Sequence, residues 1–379
     1  MIRADGGTLL VIGGAFVLAA LTALLLTPFA GRLATAAGAI DRPGAMRRVH
    51  QRPLPRGGGL AVAFAFVVAG LVALGASASL SLSVDLFDIT PLELIGIFGG
   101  SVAAAGLGFV DDRFQLRARW QLLMQVGLAL AAIGAGLLVD AINNPVGRGV
   151  IEFSTPFAVA FTVFWIVGMI NSINWIDGLD GLSSGVALIA AVTLGVISLT
   201  DAIDQPAVTV LCAALAGALA GFLPWNFHPA RIFIGSAGTY FVGYALAVLS
   251  IAGTAKVAVA LLVLGVPIID TFWIIVRRLL AGQPPFAADR GHVHHRLLDL
   301  GLSHRGAVLT IYALCLVLAA LSLVLSGSGQ LYAFVGIVLG AGVLLFVSTR
   351  REGGALEAES YDSAAAGEGA DAPPNGPST

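Results

Sequence analysis

Long apolar runs recur along this chain, each about the length of a helix that crosses a bilayer, with short polar breaks between them. A hydrocarbon core about 30 Å thick takes roughly 20 apolar helical residues. Eleven runs qualify, at 8–30, 57–79, 91–110, 120–141, 156–173, 182–200, 206–224, 237–253, 257–276, 307–326 and 331–348. The expected fold is therefore an all-α integral membrane protein with about 11 transmembrane helices. Composition agrees: 58% of the 379 residues are apolar and 11% charged, where a soluble domain carries roughly 25% charged residues.

The first run, from Thr8 to Ala30, exceeds a signal-peptide core and has no basic flank beyond Arg3, so it reads as a span that stays. Orientation follows from the basic residues, which concentrate in cytoplasmic loops. Of 20 Lys and Arg, one alternating set of breaks holds all but Arg3, Arg148 and Lys256. This places the N-terminus outside and the C-terminus in the cytoplasm. Residues 1–349 read as one multi-pass domain, and 350–379, rich in Gly, Ala, Ser and acids, as a disordered acidic cytoplasmic tail. A formal net charge of -2 excludes the basic footprint of a nucleic-acid binder. Cys212 and Cys315 sit in apolar runs and read as small hydrophobes.

Every dense polar motif falls on the expected inner face. Asp111 and Asp112 are adjacent carboxylates that repel, so they imply a cation, a shared proton or solvent nearby. Asn171, Asn174, Asp177 and Asp180 stand three residues apart, which on a helix forms one polar stripe. Such a stripe at membrane depth persists where it lines a cavity or holds an ion, and oxygen-only ligands favour a hard cation such as Mg²⁺. The other reading is a polar turn broken by Gly178 and Gly181. His292, His294, His295 and Arg296 lie in the longest inner loop, where imidazole and guanidinium suit phosphate oxygens better than zinc. Arg48, His50 and Arg56 precede Gly57, Gly58 and Gly59, glycines that admit either a ligand or a neighbouring helix. Asn226, His228 and Arg231 form a further cluster, and Asp270 reads as a polar helix contact near the inner surface. A transporter fits less well, since its charged residues would gather near the midplane.

These motifs, in this order, resemble the polyprenyl-phosphate N-acetylhexosamine-1-phosphate transferases (glycosyltransferase family 4). The likeness is carried by Asp41 to Gly59, Gly108-Phe-Val-Asp-Asp-Arg113, Asn171 to Gly181, Phe222 to Phe233 and Arg290-Gly-His-Val-His-His-Arg-Leu297, and spans about residues 8 to 348. It is similar above all to the undecaprenyl-phosphate N-acetylglucosamine-1-phosphate transferases; the phospho-N-acetylmuramoyl-pentapeptide branch is the less similar alternative. The resemblance implies transfer of a sugar-1-phosphate from a UDP-sugar to undecaprenyl phosphate, releasing UMP, with Mg²⁺ or alternatively Mn²⁺. It implies a bacterial inner-membrane protein acting on the cytoplasmic face in the first membrane step of a cell-envelope polysaccharide, and it is compatible with a homodimer.

Carried over by motif, Asp111 and Asp112 activate or position the lipid phosphate, and His294 and His295 join them as catalytic residues. Asn174 and Ser236 stand at the metal positions. Asp177, Asp180, His292, Arg296, Arg48, His50 and Asn226 make up the substrate set, Asp180 toward the uracil end. Two departures stand out: the resembled pattern has Asp where Ser236 stands and a basic residue where Gln121 stands. A non-catalytic nucleotide- or lipid-binding homologue is the alternative these departures raise.

Overall fold

The computed structural model describes residues 5–41, 53–79, 89–144, 149–201, 203–252, 257–280, 282, 292–325 and 329–340. The expected tail, Arg48 and His50 lie outside these described residues. Two units are distinguished: Met1–Phe334, which holds the helices and short strands given below from Gly6 to Val324, and Val335–Thr379, of which only 335–340 are described, as helix.

Eight helices come first: α1 (Gly6–Ala36), α2 (Gly58–Ser79), α3 (Pro91–Phe114), α4 (Ala118–Gly134), α5 (Thr155–Ile176), α6 (Leu182–Ser198), α7 (Pro206–Asn226) and α8 (Gly235–Ile251). Then follow α9 (Val257–Val263), α10 (Gly265–Leu280), α11 (Val293–Asp299) and α12 (His304–Val324). A last apolar helix covers Gly329–Gly340. Each of the eleven apolar runs thus carries helix, but the lengths differ from expectation. Among the described residues, six helices are long and apolar enough to cross a membrane, or up to seven counting the bent pair α9–α10.

Local chemistry sets several ends. Thr90 and Glu93 cap α3 reciprocally, Thr90 Oγ1 accepting from Glu93 N at 3.2 Å and Glu93 Oε2 from Thr90 N at 2.8 Å, with Pro91 opening the helix. The ninth run, expected as one span over 257–276, is instead broken, with α9 and α10 bent by 80°. Pro267 explains it: lacking an N–H, it cannot bond the Val263 carbonyl, so one helix stops and a second begins. Pro28 likewise frees the Leu24 carbonyl within α1, and Trp225 Nε1 on α7 donates to it at 3.1 Å.

Two short antiparallel ladders depart from an all-helical reading: β1 (Ile40–Asp41) with β2 (Leu54–Pro55), and β3 (Ala141–Asn143) with β4 (Val150–Glu152). The first fixes the backbone that leads into α2. Phe233 N donates to Pro55 O, and Gly58 N and Gly59 N donate to Phe233 O and Ile234 O, so the starts of α2 and α8 are tied together.

Packing inverts the soluble pattern. On α1, Ala15, Ala19 and Ala23 are buried while Leu21, Leu25, Phe29 and Leu33 are more than half exposed. Large residues face outward, as toward lipid, and small ones let helices approach. On α7, a methyl group at Gly217 or Gly221 would collide with the α1 carbonyls of Phe16 and Ala20, so these backbones meet directly.

Candidate active site

Hydrogen bonds gather the last turns of α3, α5 and α7 and the first turns of α4, α6, α8 and α12 at one end of the bundle. Asp111 and Asp112 end α3, 7% and 4% exposed. Asp112 caps α8 from outside, its Oδ1 and Oδ2 accepting from the Ser236 and Ala237 amides at 2.9 Å each. A helix start leaves such amides unpaired and carries partial positive charge, so a carboxylate is its natural partner. Asp111 is held from two sides: Oδ2 accepts from Ser236 Oγ at 2.7 Å, while Oδ1 accepts from Gln121 Nε2 at 2.9 Å and Leu116 N at 3.0 Å.

The glycines at 57–59 serve helix packing. A methyl at Gly59 would strike the Gly238 backbone of α8, and one at Gly58 the Phe222 ring of α7. Arg56, in bridge contact with Phe233, bonds Asp41 Oδ1 at 2.9 Å, and its charge acts on both Asp112 and Asp177.

The polar stripe is only half helical. Asn171 and Asn174 lie on α5, which ends at Ile176; Asp177 and Asp180 occupy the turn that follows. Asn171 Nδ2 donates to Gln125 Oε1 at 2.6 Å, and Asn174 Oδ1 accepts from Thr239 Oγ1 at 2.7 Å. Gln121 and Gln125 stand one turn apart on α4, and Ser236, Thr239 and Tyr240 on one face of α8, so each helix contributes a periodic polar face. Gln125 Nε2 and Tyr240 Oη are buried beside each other nearby and, among the described residues, pair only with one another.

Asp177 accepts from Ser183 Oγ at 2.5 Å. Burial pushes its carboxyl up to about 6, against the lowering effects of Ser183 and the Arg56 charge. Asp180 is latched: Oδ2 meets His228 Nδ1 at 2.7 Å and Ala230 N at 3.0 Å, and its own N–H donates to His304 Nε2 at 2.9 Å. Asp180, His228 and His304 bring their ligand atoms within 4.8 Å of one another. The bonds just given hold the turn, while His304 Nδ1 is buried without a hydrogen-bond partner among the described residues. Asn226 is spent the same way, accepting from Ser184 Oγ and donating to Ile232 O at 3.1 Å.

The His-x-His-His segment, read as loop, begins α11. Asp270 on α10 builds it, accepting from His292 Nδ1 at 2.7 Å and from Val293 N at 2.8 Å. His292 and His294 rings stack at 5.4 Å, and His295 tilts against His294 at 4.4 Å. His294 is buried against Gly178, where a methyl group would hit its Nε2. Burial first, then the neighbouring imidazoles, push it down to about 2, so His294 is neutral at physiological pH. It offers a hydrogen bond rather than a charge. Arg296 lies on the same short helix.

Sequence reasoning passed over Thr239, Gln125 and Ser183, and gave Asp270 no functional part. The spacing of Gln121 and Gln125 on α4 was the one available signal. Joined helix ends carrying carboxylates, amide oxygens, a histidine helix and the guanidinium groups of Arg56 and Arg305 can position anions and, through oxygen ligands alone, a hard cation.

The sequence pattern of glycosyl transferase family 4 matches residues 94–254, the stretch from α3 to the end of α8. The chain is 38% identical over 320 residues to a Bacillus subtilis (strain 168) protein named "Probable undecaprenyl-phosphate N-acetylglucosaminyl 1-phosphate transferase", covering 83% of this chain and 85% of that one. It is 33% identical over 353 residues to the decaprenyl-phosphate N-acetylglucosaminephosphotransferase of Mycolicibacterium smegmatis, covering 85% of each. The undecaprenyl-phosphate alpha-N-acetylglucosaminyl 1-phosphate transferase of Yersinia pestis is 25% identical over 315 residues, 78% of this chain and 79% of that one.

Proposed function

The chain belongs to glycosyl transferase family 4, a membrane phosphotransferase, and from that premise we infer that it moves N-acetylglucosamine 1-phosphate from a UDP-sugar to a polyprenyl phosphate. The observation that carries this reading is the acid pair Asp111–Asp112, fixed between α4 and the first amides of α8, with Asn174 bonded to Thr239 on the next turn of α8. The names of the relatives carry the polyprenyl phosphate and the N-acetylglucosamine phosphate; the UDP donor is this reading's own addition. In the reaction, an oxygen of the lipid phosphate attacks the sugar-side phosphorus of the UDP-sugar. One new P–O bond forms, the diphosphate P–O bond breaks, and UMP leaves.

Such transfer depends on positioning and on neutralising charge spread over phosphoryl oxygens. A lipid phosphate is already largely ionised near neutral pH, so Asp111 and Asp112 serve to orient and hold rather than to remove a proton. Mg²⁺ binds with one or two protein carboxylates and completes its shell with water and substrate phosphates, and an oxygen-only set at Asp111, Asp112 and Asn174 fits that demand. Bound there, it would offset phosphate charge. Asp180, latched by His228 and His304, and Asn226 shape the nucleotide side; His292, His295 and Arg296 face the diphosphate and sugar.

On the same reading the chain crosses a bacterial inner membrane eleven times, N-terminus outside, with the site at the cytoplasmic face. Single cysteines at Lys256 and Arg351 should then react with membrane-impermeant maleimide from opposite sides of right-side-out vesicles; reaction of both from one side would overturn the orientation.

The central test is UMP release by the purified protein with UDP-N-acetylglucosamine and undecaprenyl phosphate. Turnover should require Mg²⁺, stop on chelation, and fall by about a hundredfold or more in Asp112→Asn, which loses charge where it is held. Undiminished turnover in that variant would remove the acid from the mechanism. UDP-N-acetylmuramoyl-pentapeptide as donor distinguishes the related branch, and a silent wild type would favour a binding homologue.

A further inference from the structure

We propose that Ser236 and Gln121 act as a matched neutral pair on one carboxylate, Asp111, and thereby set how strongly the acid pair holds a divalent cation. The two residues come from different helices, yet both spend a side-chain donor on Asp111: Ser236 Oγ on Oδ2 at 2.7 Å and Gln121 Nε2 on Oδ1 at 2.9 Å. They are also the two positions at which the chain departs from the resembled pattern, so the departures converge on the same group instead of being independent losses.

Among the described residues, the side chains of Asp111 and Asp112 together accept five hydrogen bonds, and none of the five donors carries a formal charge. Arg56, the guanidinium that acts on Asp112, is bonded to Asp41. Within the described residues, two adjacent, nearly buried carboxylates are therefore oriented by neutral donors alone. A carboxylate at 236 would set a third negative charge beside Asp111 Oδ2 and draw a cation more strongly. An ammonium at 121 would pair with Asp111 Oδ1 and compete with the cation. Acting on one carboxylate, the two changes offset each other, and the Ser–Gln pair occupies the uncharged midpoint. Ser236 is thus a positioning residue, its hydroxyl given to Asp111.

The inference rests on the transferase reading only for the identity of the site, and its test needs no turnover. The full-length protein in detergent micelles is titrated calorimetrically with Mg²⁺, and with Mn²⁺ followed by electron paramagnetic resonance. Wild type is compared with Ser236→Asp, Gln121→Lys and the double variant. One unit charge a few ångströms away in a partly screened site is worth about a factor of ten in affinity. Ser236→Asp should bind about tenfold tighter, Gln121→Lys about tenfold weaker, and the double variant within about threefold of wild type. Ser236→Thr, which keeps the hydroxyl, should match wild type. If Ser236→Asp does not fold, the near-isosteric Gln121→Glu adds the same charge from α4 and should also tighten binding. Single variants that leave affinity unchanged, that shift it in one direction, or that bind no cation at all overturn the pairing. The four-way pattern in a protein that releases no UMP would sustain the pair and sink the transferase; turnover without any cation response would do the reverse.

Discussion

At the scale of single residues the site is ordered by who supplies each donor. Asp112 takes backbone amides, Asp111 takes two neutral side chains, and Asp177 keeps a carboxyl raised to about 6 by burial. The last has a pH signature with a definite sign. The folded chain holds this proton more tightly than the unfolded chain, whose carboxyl titrates near 3.8. The stability it contributes is full below about 4 and is lost as pH rises through 6. Its negative charge follows the opposite course. From pH 7 to 5, UMP release should fall while thermal stability gains from this group, and Asp177→Asn should flatten both trends; an unchanged acid limb in that variant would assign the loss elsewhere. The acids were legible in the sequence because adjacent carboxylates beside a span have few structural excuses. That Ser236 and Gln121 meet at Asp111 was not, since each reads alone as a missing charge and no spacing rule links α4 to α8.

Elements explain why the remaining chemistry escaped a linear reading. Three histidines in a polar break suggest a loop, but Asp270 accepts from His292 and from Val293 N, and so starts α11. The partner lies 22 residues earlier, on the far side of a stretch with no periodic cue. Loss of a helix-capping acceptor costs about 1 kcal/mol. Asp270→Ala should therefore speed amide hydrogen exchange across α11 and lower kcat, while Asp270→Asn, which keeps one acceptor, should restore most protection. Equal exchange in wild type and Asp270→Ala would show that the cap does not hold the helix. The 80° bend between α9 and α10 was readable in part, because Pro267 forbids one backbone bond, although hydropathy across it stays high.

For the whole molecule, apolar runs placed the helices well, since length and hydropathy are what a bilayer selects. They did not reveal which faces meet. That information sits in small residues: Gly217 and Gly221 admit the α1 backbone, and Ala15, Ala19 and Ala23 form the buried face of α1. Gly221→Leu should overpack this contact, lowering stability by about 1–3 kcal/mol, seen as a reduced melting temperature in micelles; a melt equal to wild type would mean that α1 and α7 tolerate separation. The capping of α8 by Asp112 also bears on how the molecule is made. Donor and acceptor lie 124 residues apart, so seven helices of a growing chain are made before its acid pair meets the amides that will orient it. Until then those carboxylates lack their backbone partners, and the candidate site is completed only late in synthesis, as one event with the arrival of the eighth helix.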